Sequence, residues 1–468
     1  MKLTNSAGLA LNLLLAAPAT ALASELGPRL SLFLGIPFAG MLLSIALFPL
    51  FAPKFWSEKY QRVALFWALI LAVPFTALYR GDAIAEFLRI FVADYVPFLI
   101  LLGSLFTVTG GIHVKGTPSG NPEVNTFILF LGTVLASLIG TTGAAMLLVR
   151  PLLRANARRK RRAHQMIFFI FLVCNVGGSL TPLGDPPLFL GFLHGVPFSF
   201  TLRLMPETGL VAAILLSIFY VLDRWYYHGD KHGLPHGEEL KLGLEGGMNL
   251  LYLAGIILAV LLSGIVEMGE VNFLGVETRV VDLARDGALI FLSWRSYRTT
   301  HEGVRKRNHF HWHPMKEVAI LFAAIFTTMA PVLLILQAGS EGSLAFVTDS
   351  VKTPANYFWA TGILSGFLDN APTYLVFLST ALGKLHKGLP EQQAIRALLS
   401  QNADYLKAIS CGAVFMGALS YIGNAPNFMV LAISEEEGVE MPSFFGYMFK
   451  YSLIFLVPAF IIVTWLFF

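Results

Sequence analysis

Apolar runs separated by short polar stretches recur along almost the whole chain, and this pattern predicts membrane-spanning helices. A complete helical span needs about 20 apolar residues, so the shorter runs predict half-helices or hairpin arms. The runs cover residues 30–51, 63–79, 95–112, 126–149, 166–180, 209–222, 250–266, 287–294, 318–336, 357–382, 408–422, 428–433 and 447–468. We therefore expect an all-α polytopic membrane protein with about 10–13 transmembrane elements.

One stretch cannot continue any of these helices. Residues 175–188 contain three glycines and three prolines among 14 residues, which breaks a regular helix. Asp185 lies inside this break together with Asn175, Ser179 and Thr181. Irregular backbone at membrane depth is tolerated only where it is buried in protein or lines a watery cavity, and an ionisable residue there indicates a functional site. An interfacial loop that only joins two spans is the alternative.

A second copy of this break lies nearer the C-terminus. Residues 417–427 match residues 178–188 at four of 11 positions, and the alignment places Ser420 opposite Thr181 and Asn424 opposite Asp185. Gly-rich turns can resemble one another by chance, so the match alone does not establish a repeat.

Another pair of breaks, residues 139–145 and 368–374, precedes these two motifs in the same order. Their polar residues are Thr141 and Thr142 in the first half and Asp369, Asn370 and Thr373 in the second. Paired interruptions at corresponding positions of two halves point to the binding site of a secondary transporter. We therefore expect two repeats, at about residues 94–222 and 317–468, each with a re-entrant hairpin and a discontinuous helix.

Composition supports one membrane body over residues 25–468. Hydrophobic residues make up 56% of the chain and charged residues only 13%, with a mean hydropathy of +0.67, whereas soluble domains carry about 25% charged residues. The net charge of +4 does not indicate a nucleic-acid partner, because the basic residues concentrate in loops beside apolar runs. Residues 1–24 resemble a cleavable signal peptide and also a short first anchor.

Basic loops predict the orientation. The loop after the first hairpin is strongly basic and predicts a cytoplasmic location by the positive-inside rule, whereas residues 384–407 of the second half mix acids and bases. The basic residues of the first loop are Arg154, Arg158, Arg159, Lys160, Arg161 and Arg162. The two halves are therefore expected to have opposite orientations in the membrane. We expect a multi-pass protein of the inner membrane whose outer surface contacts lipid.

The breaks also predict the chemistry. A broken helix leaves free N–H groups at one end, which suit anions, and free C=O groups at the other, which suit cations. Asp185 and Asp369 are the candidate sodium or proton sites, because hard cations prefer oxygen ligands. The four breaks contain no Arg or Lys, so an organic anion would lack a side-chain counter-charge, and we favour cation exchange.

Other charged residues outside the breaks look less informative. Asp94 and Glu267 lie at the ends of apolar runs and are expected at the membrane interface, while Asp82, Glu86 and Arg89 fit an amphipathic surface turn.

The motif Asn175-Val-Gly-Gly-Ser-Leu-Thr-Pro-Leu-Gly-Asp185 followed by Leu368-Asp-Asn-Ala-Pro372 resembles the ion transporter superfamily, in particular its NhaD-type sodium/proton antiporters and its citrate transporter branch. The resemblance implies inverted repeats, a mid-membrane site at the hairpin tips and helix breaks, homodimers and an elevator-like movement. Its site would lie at residues 140–143, 181–185, 369–372 and 420–424. Dicarboxylate carriers of the superfamily typically have Ser-Asn-Thr at the hairpin tips, which this chain lacks, and D-type antiporters generally have an acid in the first hairpin, where this chain has Gly140 or a threonine.

We therefore expect a secondary active transporter and not an enzyme, with Na⁺/H⁺ antiport by alternating access as the first interpretation. No cofactor is expected beyond Na⁺ and H⁺ as transported or coupling ions. The alternative is sodium- or proton-coupled transport of citrate or another organic anion. A distant alternative is an intramembrane aspartyl protease, because Gly184-Asp185 resembles the end of a Gly-x-Gly-Asp motif.

Overall fold

The computed structural model describes residues 26–230 and 240–468, so the predicted signal peptide or anchor at residues 1–24 lies outside the described residues. Helices account for 79% of the structure, which confirms the predicted all-α membrane fold. Large apolar side chains such as Trp465 and Phe33 are 83% and 77% exposed, as expected for a surface that faces lipid.

The α-helices, numbered in chain order, have the following bounds: α1 Ile36–Phe51, α2 Pro53–Arg89, α3 Val96–Thr109, α4 Pro122–Ile139, α5 Thr141–Ala155, α6 Ala163–Leu172, α7 Pro186–Leu193, α8 Met205–Asp230, α9 Met248–Ser263, α10 Val280–Thr299, α11 Glu302–Arg307, α12 His313–Gln337, α13 Ala345–Ser350, α14 Pro354–Phe367, α15 Asn370–Leu385, α16 Glu391–Gln401, α17 Ala403–Met416, α18 Ala425–Glu436, α19 Phe444–Tyr447 and α20 Val457–Phe467.

Shorter elements join these helices. The 3₁₀ turns are Gly27–Arg29, Leu32–Gly35, Val176–Leu180, Phe198–Leu204, Gly339–Glu341 and Gly417–Leu419, and the π-helical segments are Ile90–Tyr95 and Met448–Leu456. Two antiparallel ribbons pair β1 (His113–Thr117) with β2 (Leu240–Glu245) and β3 (Glu270–Phe273) with β4 (Val276–Arg279).

Seven helical stretches of the described residues are long and apolar enough to cross a membrane. They are Leu32–Phe51, Pro53–Thr109, Pro122–Ile139, Ala163–Leu180, Phe198–Gly229, His313–Gln337 and Phe444–Phe467.

The 57-residue stretch Pro53–Thr109 is not one straight helix. Arg80 has a φ of 46°, which a helix cannot accommodate, and the rings of Phe75 and Phe87 on either side of it meet with their centroids 5.6 Å apart.

Two helical hairpins carry the upstream breaks. In the first, α4 and α5 pack together around Gly140, whose φ of +81° is readily available only to glycine. The side-chain amides of Asn125 and Asn156 exchange hydrogen bonds of 3.0 and 2.8 Å at the open end of this hairpin. In the second hairpin, α14 and α15 pack together around the break at Asp369.

Each hairpin is followed by an interrupted helix. In the first repeat α6 leads through a 3₁₀ turn and the break 181–185 into α7; in the second, α17 leads through a 3₁₀ turn and the break 420–424 into α18. The repeats also exchange partners, since α7 packs on α15 while α18 packs on α5.

Contacts between the repeats show that they run in opposite directions. Arg150 near the end of α5 lies 3.3 Å from Glu437 after α18, and Arg162 donates to the carbonyl of Gly438 at 2.9 Å. At the other end, His194 after α7 lies 2.6 Å from Glu391 at the start of α16. We call the first end the basic side and the second end the opposite side.

We use the name scaffold for helices α1–α3 and α9–α12, of which α3 and α12 are the first helices of the two predicted repeats. Within it α1 and α12 pack on α2, and α9 and α3 pack on α10. The Tyr95 hydroxyl donates to the carbonyl of Ala319 at 2.9 Å, and the rings of Phe98 and Phe322 meet at 4.7 Å between centroids, so the α2–α3 pair is joined to α12.

Candidate functional site where the broken helices meet

Four helices begin at one point inside the protein. Thr141 is the first residue of α5, Asn370 is the first residue of α15, and Asp185 and Asn424 immediately precede α7 and α18. The two hairpin tips and the two helix breaks, far apart in the sequence, are thus brought into direct contact.

Asp185 is the centre of this arrangement. Its carboxylate, 1% exposed, accepts hydrogen bonds from the Thr141 hydroxyl at 3.1 Å, from Asn370 Nδ2 at 2.5 Å and from Asn424 Nδ2 at 2.8 Å. Asn424 Nδ2 also donates to the carbonyl of Cys174 at 2.9 Å. One residue from each of the other three breaks therefore contacts the same carboxylate.

Helix ends add to the electrostatics of the site. The N-termini of α5, α7, α15 and α18 carry partial positive charge, which stabilises an ionised Asp185 or another negative group. Pro186 and Pro187 occupy the first turn of α7, Pro372 that of α15 and Pro426 that of α18, so these three ends offer fewer N–H groups. The side chains consequently determine what the site can bind.

The two breaks are tied down by equivalent hydroxyls. Thr181 donates to the carbonyl of Ser137 in the last turn of α4, and Ser420 donates to the carbonyl of Gly366 in the last turn of α14 at 2.5 Å. Each hydroxyl also accepts from the backbone two residues on, at 3.2 Å for Thr181 and 3.1 Å for Ser420. These two residues satisfy carbonyls that the broken helices leave free.

Two glycines explain why the motif repeats. A Cβ on Gly184 would overlap the carbonyl oxygen of Gly178, and a Cβ on Gly423 would overlap that of Gly417. In both repeats the break folds back against the preceding 3₁₀ turn, and only glycine permits this approach.

Asn175 links the two repeats. Its Nδ2 donates to the carbonyl of Ile170 and to Asn427 Oδ1, both at 2.8 Å, while its fully buried Oδ1 has no hydrogen-bond donor. Asn427 Nδ2 donates to the carbonyls of Gly417 and Ser420 at 2.9 and 3.0 Å. Sequence reasoning missed Asn427 because the aligned position in the first repeat is Leu188, so no repeat signal marks it.

Some predicted site residues do not touch Asp185. Ser179 lies 2.6 Å from the Thr208 hydroxyl of α8, and Thr373 donates to the carbonyl of Asp369 at 2.8 Å. Asp369 is half-buried and caps α15 by accepting from the N–H of Ala371 at 3.0 Å. Thr142 is also half-buried and donates no hydrogen bond to Asp185 in the described part of the chain.

A transition-metal site is not built here. Within residues 26–230 and 240–468, no group of three His, Cys, Asp or Glu side chains could hold a metal ion. The side chains that contact Asp185 are two neutral amides, which donate through their NH2 groups, and one hydroxyl. Amide and hydroxyl oxygens are the kind of ligand that hard monovalent cations prefer.

A buried polar network at the basic side was also missed. Asp223 of α8 lies 2.7 Å from both Arg159 Nη1 and His164 Nε2, and Asn125 donates to it at 2.9 Å. Arg159 is only 4% exposed, so this member of the basic loop ties the first hairpin to α8 in addition to any influence on topology.

Asp94, Glu86 and Arg89 are not the surface groups that the sequence indicated. Glu86 and Asp94 are 1% and 3% exposed, and Arg89 pairs with Glu86 at 2.8 Å. The helical spacing of these residues resembles a polar surface stripe, and only the packing of distant helices buries them.

Comparison with known families agrees with this architecture. Residues 27–468 match the model of a family described as "Putative citrate transport". The chain belongs to this family. The match spans both repeats and all four breaks, and it supports the predicted resemblance to membrane transporters without singling out the NhaD-type antiporters. No curated protein matches the chain.

Proposed function

We propose that the protein is a secondary active transporter of a cell's inner membrane that exchanges Na⁺ for H⁺ at Asp185 by alternating access, with the basic side in the cytoplasm. The observation that carries the proposal is a buried carboxylate held by three neutral donors, one from each of the other three breaks. Its charge can be balanced by one proton or by one sodium ion, so the two ions compete for the same place.

The surrounding groups suit both occupants. With a proton bound, Asp185 remains a partner for the amides of Asn370 and Asn424. With sodium bound, rotation of those amides presents their oxygens, which join the carboxylate and the Thr141 hydroxyl as hard ligands. Asn175 has a buried side-chain oxygen without a donor, beside Gly417 at the start of the second break motif.

The charge of Asp185 also gives a reason why the movement of Na⁺ would be coupled to that of H⁺. Moving a carboxylate to the membrane centre costs about 2.5–3.5 kcal/mol on insertion scales, an upper limit for an ionised Asp185 that keeps its three hydrogen-bond donors. Asp185 neutralised by H⁺ or Na⁺ avoids this cost. The carrier would therefore change sides with either ion bound and seldom without one, which is the requirement for exchange.

Transport of citrate or another organic anion is the second candidate. The family description favours it, and four helix N-termini around the site would stabilise an anion. Against it, the four breaks contain no Arg or Lys to pair with a carboxylate. Sodium at Asp185 would then act as the coupling ion for the anion.

The test uses purified protein in liposomes with an internal pH dye and an acid interior. Addition of Na⁺ or Li⁺ outside should make the interior more alkaline, and Asp185→Asn should abolish this response. Asp404→Asn, which removes an exposed carboxylate of α17, is the matched control and should respond like the wild type. No response to cations combined with Na⁺-dependent uptake of labelled citrate would replace antiport by anion transport.

A further inference from the structure

Helix α7 has a buried charged group at each end, and the proposed function uses only one of them. Asp185 precedes the helix and His194 follows it, with eight helical residues between them. Eight residues correspond to about 12 Å of helix. Any movement of α7 therefore changes the surroundings of both groups together.

His194 lies between two carboxylates from distant parts of the chain. Its Nδ1 is 2.6 Å from Glu391 Oε1 and its Nε2 is 3.3 Å from Asp94 Oδ1. The contact with Asp94 is an ion pair without the alignment of a hydrogen bond. A ring that faces a carboxylate on each nitrogen satisfies both only when it is protonated on both nitrogens.

The two carboxylates belong to different structural units. Asp94 lies in the π-helical segment between α2 and α3 of the scaffold, and Glu391 begins α16 of the second repeat. A π-helical turn inside a long helix is frequently found at functional sites. Arg89, which pairs with Glu86 at 2.8 Å and lies 4.0 Å from Asp94, completes the charged groups that surround His194.

Burial makes these contacts strong. The side chains of His194 and Asp94 are 5% and 4% exposed, whereas Glu391 is 25% exposed and gives the cluster an opening to the opposite side. Charges held out of water in this way are weakly screened by salt. Arg285 of α10 also approaches α7, with its guanidinium carbon 5.9 Å from the ring centroid of Phe189.

We propose that the contacts of His194 with Asp94 and Glu391 form a latch that holds α7 against the scaffold at the opposite side and opens in every transport cycle. The proposal rests on the proposed alternating access, because Asp185 can reach the opposite side only if the structure between it and that side rearranges. His194 is in this account a positioning residue, since it acts on Asp185 through α7.

A reversible cross-link tests the latch directly. In protein carrying Cys174→Ala and Cys411→Ala, the pair Asp94→Cys and His194→Cys is joined with a short reducible thiol linker, and transport in liposomes is measured before and after reduction. The latch predicts at least a tenfold loss of rate when the pair is linked and recovery on reduction. An unchanged rate in fully linked protein would overturn it.

A matched pair controls for the linker. Arg150→Cys with Glu437→Cys joins α5 to the end of α18, a contact between the two repeats that does not involve the scaffold. Linking this pair should leave the rate within twofold. An equal loss of rate in both pairs would also contradict a latch at the scaffold.

A measurement that needs no cargo separates this proposal from the proposed function. Hydrogen exchange of residues 186–204 is compared between wild type, His194→Gln and His194→Lys, which keeps a cation between the two carboxylates. The latch predicts about tenfold faster exchange in His194→Gln and exchange near the wild-type rate in His194→Lys. Unchanged exchange in His194→Gln would overturn the latch, whatever ion the protein carries.

Discussion

In the first repeat, the hydroxyl of Thr181 holds the last turn of α4, and Gly184 lies against the preceding turn; in the second, Ser420 and Gly423 do the same for α14. The two breaks differ in charge at one aligned position, where the first has Asp185 and the second has Asn424. These two side chains also contact each other at 2.8 Å. The residues that shape the backbone are symmetric, and the residues that set the charge are not. The symmetric residues therefore shape the backbone of the site, and the difference at this position places the Asp185 carboxylate where the helices meet.

The largest effect is expected when the difference is removed. Asp185→Asn makes the two breaks chemically alike and leaves the site without a charge to be neutralised by H⁺ or Na⁺, so exchange should fall at least 100-fold. Since Asn preserves the shape of the side chain, the protein should still elute as a single folded species in detergent. Exchange within threefold of wild type would show that Asp185 is not the ion site.

A smaller loss is expected from the neutral partners. Asn424→Ala or Asn370→Ala removes one amide oxygen that, in the proposed sodium-bound site, coordinates Na⁺ after the amide has rotated away from its present hydrogen bond. The Na⁺ concentration for half-maximal exchange should rise roughly 10- to 100-fold. If either variant lost folding and kept its apparent affinity for Na⁺, the residue would be structural.

Thr181 and Ser420, the equivalent hydroxyls of the two breaks, should respond alike to substitution. Thr181→Ala and Ser420→Ala should each lower the free energy of unfolding by about 1 kcal/mol, since each leaves a helix-end carbonyl without its hydroxyl. Thermal unfolding in detergent measures both, and the two losses should agree within error while exchange persists. A large loss in one variant alone would mean that the two breaks are not mechanically equivalent.

The smallest effect is expected at the other carboxylate. Asp369→Asn retains the cap on α15, because Asn and Asp cap helices about equally well. Stability should change by no more than a few tenths of a kcal/mol, and exchange should change less than threefold. A loss as large as that of Asp185→Asn would make Asp369 a second ion site.

The sequence was sufficient for the fold class and for the residues that meet at Asp185. Clusters of glycine and proline in an apolar run mark a broken helix, whereas single residues such as Pro331 lie inside a continuous helix. The repeated order of the breaks aligns Asp185 with Asn424. The sequence did not predict the direction in which each side chain of a break points, because a break in a helix does not determine it. Ser179 faces Thr208 of α8 for this reason, although it lies only six positions from Asp185.

Contacts between distant residues outside the four breaks were beyond sequence reasoning. His194 and Glu391 are 197 positions apart, and neither belongs to a motif. In the sequence, Arg159 is one of several basic residues of its loop, and only the structure shows that it pairs with Asp223 of α8. Burial of a charged side chain depends on what packs over it, and local periodicity does not contain that information.

The most direct test of a single carboxylate shared by two ions is proton release on sodium binding. Purified protein in weakly buffered detergent solution is titrated with NaCl against choline chloride while a pH dye records released protons. Competition at Asp185 predicts saturable release of up to about one proton for each protein in the wild type and none in Asp185→Asn. Release that is undiminished in Asp185→Asn would contradict the account, because the proton would then come from another group.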